Sequence, residues 1–475
     1  MKTALTFLVL ALTPPLAAHD FITPRPLDEQ TTYQRAFDAA LWALPVADAL
    51  APRRASNERG ISPSAMFITE QRPTGKLRVV MMNAQFPSVF GDLTTESGPI
   101  VFDVPARSDK ARFSGSIADL WGHPIGDIGP DGADAGAGGK YLVLPPSYEG
   151  RVPEGYFVLR SRTYVINALF HAVPSKPGDT GWAAALAYAR TLKIYPLAEA
   201  ASPRPAVFAD VSRILFPGTP TFDRSYFQYL HQLVQEEPVL EHDKAMTELL
   251  STLGIEKGRP FRPDERMGRI LDRAARDAQR HCIDRLISMH SVTAKGPRFW
   301  PDRNWLMPGR NREAVDGNAR RIPDRRDYAA RAAAHYGGTS VPKRSDAREI
   351  CLLATVDAKG NPLDGSKHYK MLMPAEVPVR DSWEVVAYSI ATRSFIDTAA
   401  NRIALSSSNP TFKTNPDGSI EIDIGPTAPA GRKDNWISTR PDEPIAVCLR
   451  LYGAEKRTIE KQWVAGDLVE VKGGT

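Results

Sequence analysis

The sequence predicts a mainly β protein with a helical insert: an N-terminal sandwich, a small helical domain, then a jelly-roll-like sandwich. Three observations predict it. Short β-rich runs bounded by Gly, Pro and Asp recur before residue 200 and again after residue 346, as stacked antiparallel sheets require. Between them the apolar positions repeat at three and four residues instead of two. The 40 prolines among 475 residues favour turns and strand edges over long helices.

Residues 1–18, MKTALTFLVLALTPPLAA, set a lysine before an apolar stretch, Ala4–Leu12, and end on Ala17-Ala18. This is the pattern of a cleaved export signal, so the mature protein is expected in a periplasm or secreted. Pro14-Pro15 stop the apolar run short of the roughly 20 residues that span a bilayer. In 19–50, Phe37, Ala40, Leu41, Leu44 and Ala47 fall at helical spacing, predicting one short helix interrupted by Pro45.

Residues 51–200 supply the first sandwich through KLRVVMMNAQF, PIVFDVPA, KYLVLPP and GYFVLRSRTYVINALFHAV, before TGWAAALAYARTLKIYPL turns helical. Residues 201–300 hold three helical stretches. In the last of them Met267, Ile270, Leu271, Ala274, Ala278, Cys282 and Leu286 make one apolar stripe, started by Pro263-Asp264.

Residues 301–345 read as a basic linker. Counted from Lys295 to Arg348, this region has 13 Lys and Arg against 6 Asp and Glu, more excess charge than the whole chain's +5. A solvated connector and a rim for an anionic ligand both fit. Only Phe299, Trp300 and Trp305 interleave with the charges, which argues against nucleic acid. In 346–475, REICLLATVDAKGNPLDGSKHYKMLMP reads as a hairpin. Ile420, Ile422 and Ile424 alternate with polar residues, as in a strand with one buried face.

The glycine-rich stretch from Gly129 to Lys140 carries five glycines and two aspartates ahead of the lysine. It is not a phosphate loop, because Asp134 stands where the first glycine belongs and Tyr141 follows Lys140. It is not a calcium loop either, since Asp127, Asp131 and Asp134 lack the one-three-five spacing and the closing Glu. Nucleophile elbows and zinc-binding helices are absent as motifs, so neither cofactor nor metal is expected. His123, near Asp119 and Asp127, fits a general base or a hydrogen-bonded loop residue. Arg160, Arg162, Arg393 and Arg450 fit carboxylate or sugar recognition, or plain ion pairing. Of three cysteines, Cys282 lies on a helical stripe, while Cys351 and Cys448 lie in predicted strands; whether those two pair is open.

The run DLWGHPIGDIGPDGADAGAGGKYLVLPPSYEGRVPEGYFVLRSRTY resembles the signature of domain-of-unknown-function family 1254. DSWEVVAYSIATRSF, NPDGSIEIDIGPTAPAGRKDNWIST and LRLYGAEKRTIEKQWVAGDLVEV are similar to its C-terminal partner, family 1214. The resemblance spans about Tyr33 to Lys472. It implies an immunoglobulin-like first sandwich, a helical insert and a jelly-roll-like second sandwich, and it implies no reaction. Trp121, Asp127, Lys140, Tyr141, Arg160, Tyr164, Arg393 and Trp436 fall on its motif positions and are the expected ligand-binding set. One departure stands out: where relatives carry an acid in an Asn-Thr-Asp-Thr-like run, this chain has Asn83-Ala84-Gln85-Phe86.

The expected function is binding of a small molecule or glycan between the two β domains. A metal-independent hydrolase or lyase, or an envelope structural module, are the alternatives, and a homo-oligomer is left open. Trp121, Asp127 and Lys140 are expected to share one neighbourhood around the glycine-rich turn.

Overall fold

The computed structural model describes residues 27–290, 298–307, 327–338, 349–408 and 410–472. The expected export signal and most of the basic linker lie outside them. The chain is mainly β with helices inserted, as the sequence predicts, in five sheets. Four of these make two sandwiches.

The N-terminal sandwich packs a six-stranded sheet on a four-stranded one. The larger sheet contains β1 (Met66–Ile68), β3 (Ser88–Thr94), β5 (Ala111–Asp119), β6 (Pro124–Ile128), β9 (Val165–Pro174) and β11 (Phe208–Asp210), in the order β11-β1-β3-β9-β5-β6. The smaller has β4 (Ile100–Val104), β7 (Gly139–Leu144), β8 (Phe157–Arg160) and β10 (Lys193–Pro196), in the order β10-β4-β7-β8. A short pair joins β2 (Leu77–Val79) to β12 (Phe216–Gly218). The helix α3 (Gly178–Ala189) packs on β9 and β5. The sandwich is not purely antiparallel: β1–β11 and β7–β8 pair in parallel. Parallel neighbours need a crossover of a dozen or so residues, and the chain between Leu144 and Phe157 is long enough to supply one.

The C-terminal sandwich has one sheet in the order β13-β19-β15-β16 and a second in the order β18-β17-β14-β20. The first contains β13 (Ile350–Ala354), β15 (Val379–Ser389), β16 (Ala404–Ser406) and β19 (Ile445–Ala454). The second contains β14 (His368–Met373), β17 (Ile420–Gly425), β18 (Trp436–Ser438) and β20 (Val469–Val471). Two four-stranded sheets are the layout of a jelly-roll-like sandwich. The expected hairpin is corrected here, because β13 and β14 sit in different sheets and their connection arches across the core. Such arches leave the same short-strand, turn, short-strand signature as a hairpin.

Apart from α3, the helices on either side of the first sandwich in sequence form one layer. The break near Pro45 falls two residues earlier, at Ala43, and gives two helices, α1 (Leu27–Trp42) and α2 (Leu44–Asn57). Pro45 sits in the first turn of α2, where its missing N–H loses no helical bond, so the helix runs on past the predicted end. In α6 (Glu265–Ser288), Asp264 caps the start by accepting from the Met267 N–H at 2.7 Å, and Leu271, Ala274, Ala278, Cys282 and Leu286 are buried. That stripe packs against α1 and α7 (Tyr328–Gly337), while α4 (Phe227–Glu236) packs on α2 and α5 (Lys244–Ser251) on α1. The helices before the first sandwich and those after it therefore share a single core.

A candidate ligand cavity between the helical layer and the first sandwich

The sequence VINALFHAVP of β9 alternates with period two, and this divides the protein's chemistry. Ile166, Ala168, Phe170 and Ala172 enter the core of the first sandwich with Phe102, Phe113 and Tyr141. Asn167, Leu169, His171 and Val173 point from the opposite face. On β5, Arg112, Ser114, Ser116 and Ala118 share that outer face. One end of it meets the helices; the other meets the C-terminal sandwich.

At the helical end lies a cavity of about 170 Å³. Its floor is Phe90, Gly91, Ser116, Ala118, Asn167 and Leu169; Pro45, Asp48, Ala49 and Pro52 of α2 and His335 of α7 cover it. Val79, Val80 and Met82 close one side. The walls are mostly apolar, with a few polar groups, which is the usual composition of a small-molecule site.

The main polar feature is Asp48. Arg393 grips it with two parallel bonds, Nη1 to Oδ2 and Nη2 to Oδ1, both 2.6 Å. His335 Nε2 lies 3.1 Å from Oδ2. The side chains of Arg393 and Asp48 are only 3% and 7% exposed. Burial pushes the Asp48 carboxyl up, but the charge of Arg393 and the bonds from His335 and Arg393 outweigh it and hold the group below the usual carboxylate range. Arg393 also stacks its guanidinium 4.3 Å from the centre of the Tyr336 ring. Its backbone has φ 56°, and its carbonyl accepts from the Met81 N–H at 2.7 Å. Nearby, Ser116 Oγ donates to Asp127 at 2.7 Å. The buried Nδ2 of Asn167 finds no partner within the protein.

The eight residues expected to bind a ligand do not converge. Arg393, Asp127 and Trp121 stand directly behind the cavity: Arg393 holds Asp48, Asp127 holds Ser116, and Trp121 precedes the lining Gly122. Trp121 itself packs 4.8 Å from Trp42, with the Arg331 guanidinium 5.4 Å from its ring. Tyr164 begins the turn into β9, where its N–H and that of Val165 donate to Glu237 at 2.6 and 2.7 Å. Burial pushes the Glu237 carboxyl up to about 7. Tyr141 is buried and donates to Asp134 at 2.5 Å, which closes the glycine-rich turn. Lys140 is exposed beside Tyr156, and Arg160 is exposed at the end of β8. Trp436 donates to the Gly425 carbonyl in the far sheet of the second sandwich.

Lys140 and Trp121 therefore lie apart. The turn abuts Phe113 on β5, whose end at Asp119 is six residues on, about 20 Å away at roughly 3.3 Å per residue, and Trp121 lies just beyond that end. His123 lies with Asp119 and Arg162 at that far end. Asp48 and His335 escaped the sequence reading. A signal for Asp48 existed: one acid in the otherwise small, apolar LPVADALA.

The contact between the two β domains is filled instead by the segment Asn83–Phe86. The Ala84 N–H donates to Glu384 at 2.8 Å, Ser406 donates to Gln85 at 2.7 Å, and Phe86 packs edge-on to Tyr452 at 5.0 Å. Arg450 pairs with Glu384 at 3.5 Å and donates to the Met81 carbonyl. Gln85 is thus a buried contact to the second sandwich. Among the described residues, one void beside this contact, lined by Ser114, His171, Asp381 and Tyr452, holds about 20 Å³, little more than one water.

His171 Nδ1 lies 2.9 Å from Asn83 Nδ2 and 3.0 Å from Ser88 Oγ in the same contact. Burial, then the charge of Arg450, lowers its pKa to about 3. The unfolded chain takes up this proton near pH 6.5 while the folded chain refuses it, so stability is lost as pH falls from 6.5 toward 3. The slope is about 1.4 kcal/mol per pH unit within that window. Glu384, pushed up to about 7 by burial, acts oppositely and loses stability as pH rises from 4.5 to 7. His171→Gln should therefore lose less melting temperature than the parent on acidification from about pH 6.5 to pH 4.5. Parallel melting curves with the same acid slope would show that His171 is not held neutral.

Among the described residues no group of three or more His, Cys, Asp or Glu is arranged to hold a metal ion, and no helix is long and apolar enough to cross a membrane. The family described as Protein of unknown function (DUF1254) matches residues 65–196, and Protein of unknown function (DUF1214) matches 348–456. The crystal structure of the VPA0106 protein from Vibrio parahaemolyticus is similar with a TM-score of 0.54 and 17% identity, over 93% of this chain and 100% of that one. That likeness is one of fold. An uncharacterized protein from Burkholderia cenocepacia aligns over 94% of this chain and 96% of its own, at 12% identity and a TM-score of 0.40. No curated protein matches the chain.

Proposed function

The chain belongs to the two-domain family that joins DUF1254 to DUF1214, and within that architecture we propose that it binds a small, largely apolar molecule in the cavity beside Asp48. The observation that carries this reading is the mostly apolar cavity of about 170 Å³ with a few polar residues, Asp48, Ser116 and Asn167, in its lining. Such a volume takes a molecule of about one or two rings. An apolar wall gains about 25 cal/mol per Å² covered, and the few polar lining residues supply direction. The lining disfavours a glycan, whose hydroxyls would lack partners against Phe90, Leu169 and Val79. Because residues 1–18 carry the sequence pattern of an export signal, compounds met outside the cytoplasm are the first to screen.

The test is thermal-shift screening of the full chain against small aromatic ketones and esters, aliphatic acids and sugars. A ligand at a hundred times its Kd adds about 2.7 kcal/mol, a readable rise in Tm. Ala118→Leu places a branched side chain in the cavity and should erase that rise without unfolding the protein. If no compound class shifts the parent, or if the variant keeps the shift, the cavity is not the binding site.

A second reading rests on His335, whose Nε2 is fixed on Asp48 as a general base would be. It makes the same cavity a hydrolase or lyase site. Product formation from a bound ester, lost in His335→Gln while the thermal shift stays, would separate it from simple binding; unchanged ester after long incubation would exclude it.

A further inference from the structure

We infer that Cys351 and Cys448 close to a disulfide that staples β13, the edge strand of its sheet, to β19. The two strands are antiparallel, with Cys351 opposite Arg450 and Leu353 opposite Cys448. The two cysteines are therefore diagonal neighbours two residues out of register. Alternation puts them on one face, because Ile350, Leu352, Val447 and Leu449 on the other face fill the core of the second sandwich. Their sulfurs stand 3.0 Å apart as free thiols, about 1 Å more than a disulfide bond. The third thiol, Cys282, lies in α6 on the stripe that packs against α1 and α7.

The surroundings favour reaction at Cys351. It is half-buried, whereas Cys448 is fully enclosed. The hydrogen bond from Cys448 and the Arg450 guanidinium draw the Cys351 thiol below its ordinary range, against the effect of burial, while burial pushes Cys448 up. With glutathione disulfide as the oxidant, the Cys351 thiolate attacks one of its sulfurs and expels one glutathione thiolate, giving a mixed disulfide. Cys448 then gives its proton to that thiolate and attacks the Cys351 sulfur, expelling the second glutathione. Two protein thiols are oxidised, and one disulfide is reduced to two thiols. The closed loop contains the whole second-sandwich sequence between the cysteines, 97 positions apart, so the link would restrict the unfolded chain strongly.

The full chain is refolded with a glutathione redox couple, denatured without reductant, alkylated and mapped by peptide mass spectrometry. The Cys351 and Cys448 peptides should appear joined, two hydrogens lighter than the sum, with Cys282 alone alkylated. Dithiothreitol should then lower Tm by several degrees, and Cys448→Ser should show no such redox-dependent drop. Alkylation of both Cys351 and Cys448, or any link through Cys282, overturns the assignment. The peptide map needs no variant, so a misfolded Cys448→Ser leaves the test intact.

Discussion

Asp48→Ala is expected to lower the unfolding free energy by about 3–5 kcal/mol, because it leaves the Arg393 guanidinium charged and without its carboxylate in a site only 3% exposed. The stacking on Tyr336 and the backbone contact to Met81 keep Arg393 where it is, so it cannot swing out to water. Replacing both partners with apolar residues of similar size, Asp48→Leu with Arg393→Met, should recover most of the loss. The cost lies in the orphaned charge more than in the lost attraction. Urea unfolding of the two singles and the double decides it. A single-mutant loss below about 1 kcal/mol would mean that the pair is solvated in solution and does not frame a closed cavity. The double variant bears on function as well: if it folds yet shows no thermal shift with a compound that stabilises the parent, the Asp48 carboxylate contacts or shapes the ligand site.

Gly129→Ala should cost roughly 2–4 kcal/mol, far more than Gly136→Ala in the same turn at about 1 kcal/mol. Both glycines have positive φ, 81° and 79°, so both replacements carry the left-handed backbone penalty. Only at Gly129 would the new Cβ also fall 2.0 Å from a backbone oxygen, that of Phe113 on β5. At Gly136 the nearest atom is 3.4 Å away and belongs to the flexible Arg107 side chain. Relieving the first clash means moving the turn off the sheet, which pulls on the Asp134 bonds to the Gly129 N–H and the Tyr141 hydroxyl. Equal losses in guanidinium unfolding would show that the turn rests loosely on β5. The glycines of this stretch thus act through backbone fit, with Asp134 as the internal acceptor.

Much of the fold was readable from local pattern. The period-two run in β9, the three-and-four stripe of α6 and the Asp264 cap each state a local conformation through residues that are neighbours in the chain. The hairpin expected over residues 348–374 has the same origin. Turn chemistry between two strands is visible locally, but the sheet each strand joins depends on partners such as β19 and β17, far along the chain.

The candidate site divides along the same line. Arg393 and Asp127 stood out by type and motif position, and both brace the cavity. Lys140, Tyr141, Arg160 and Trp436 shared those credentials and serve elsewhere, because a motif records that a residue matters and not what it touches. By itself the sequence determined the fold class, the order of sandwich, helices and sandwich, and which face of each long strand is apolar. These follow from side-chain period and backbone preference, which act over a few residues. Only the tertiary structure decided that Asp48, His335 and Arg393, from three remote segments, meet around one buried carboxylate. It also decided that a cavity opens under the helices beside the first sandwich. Both depend on how docked faces match in shape and charge, a property of surfaces assembled from the whole chain.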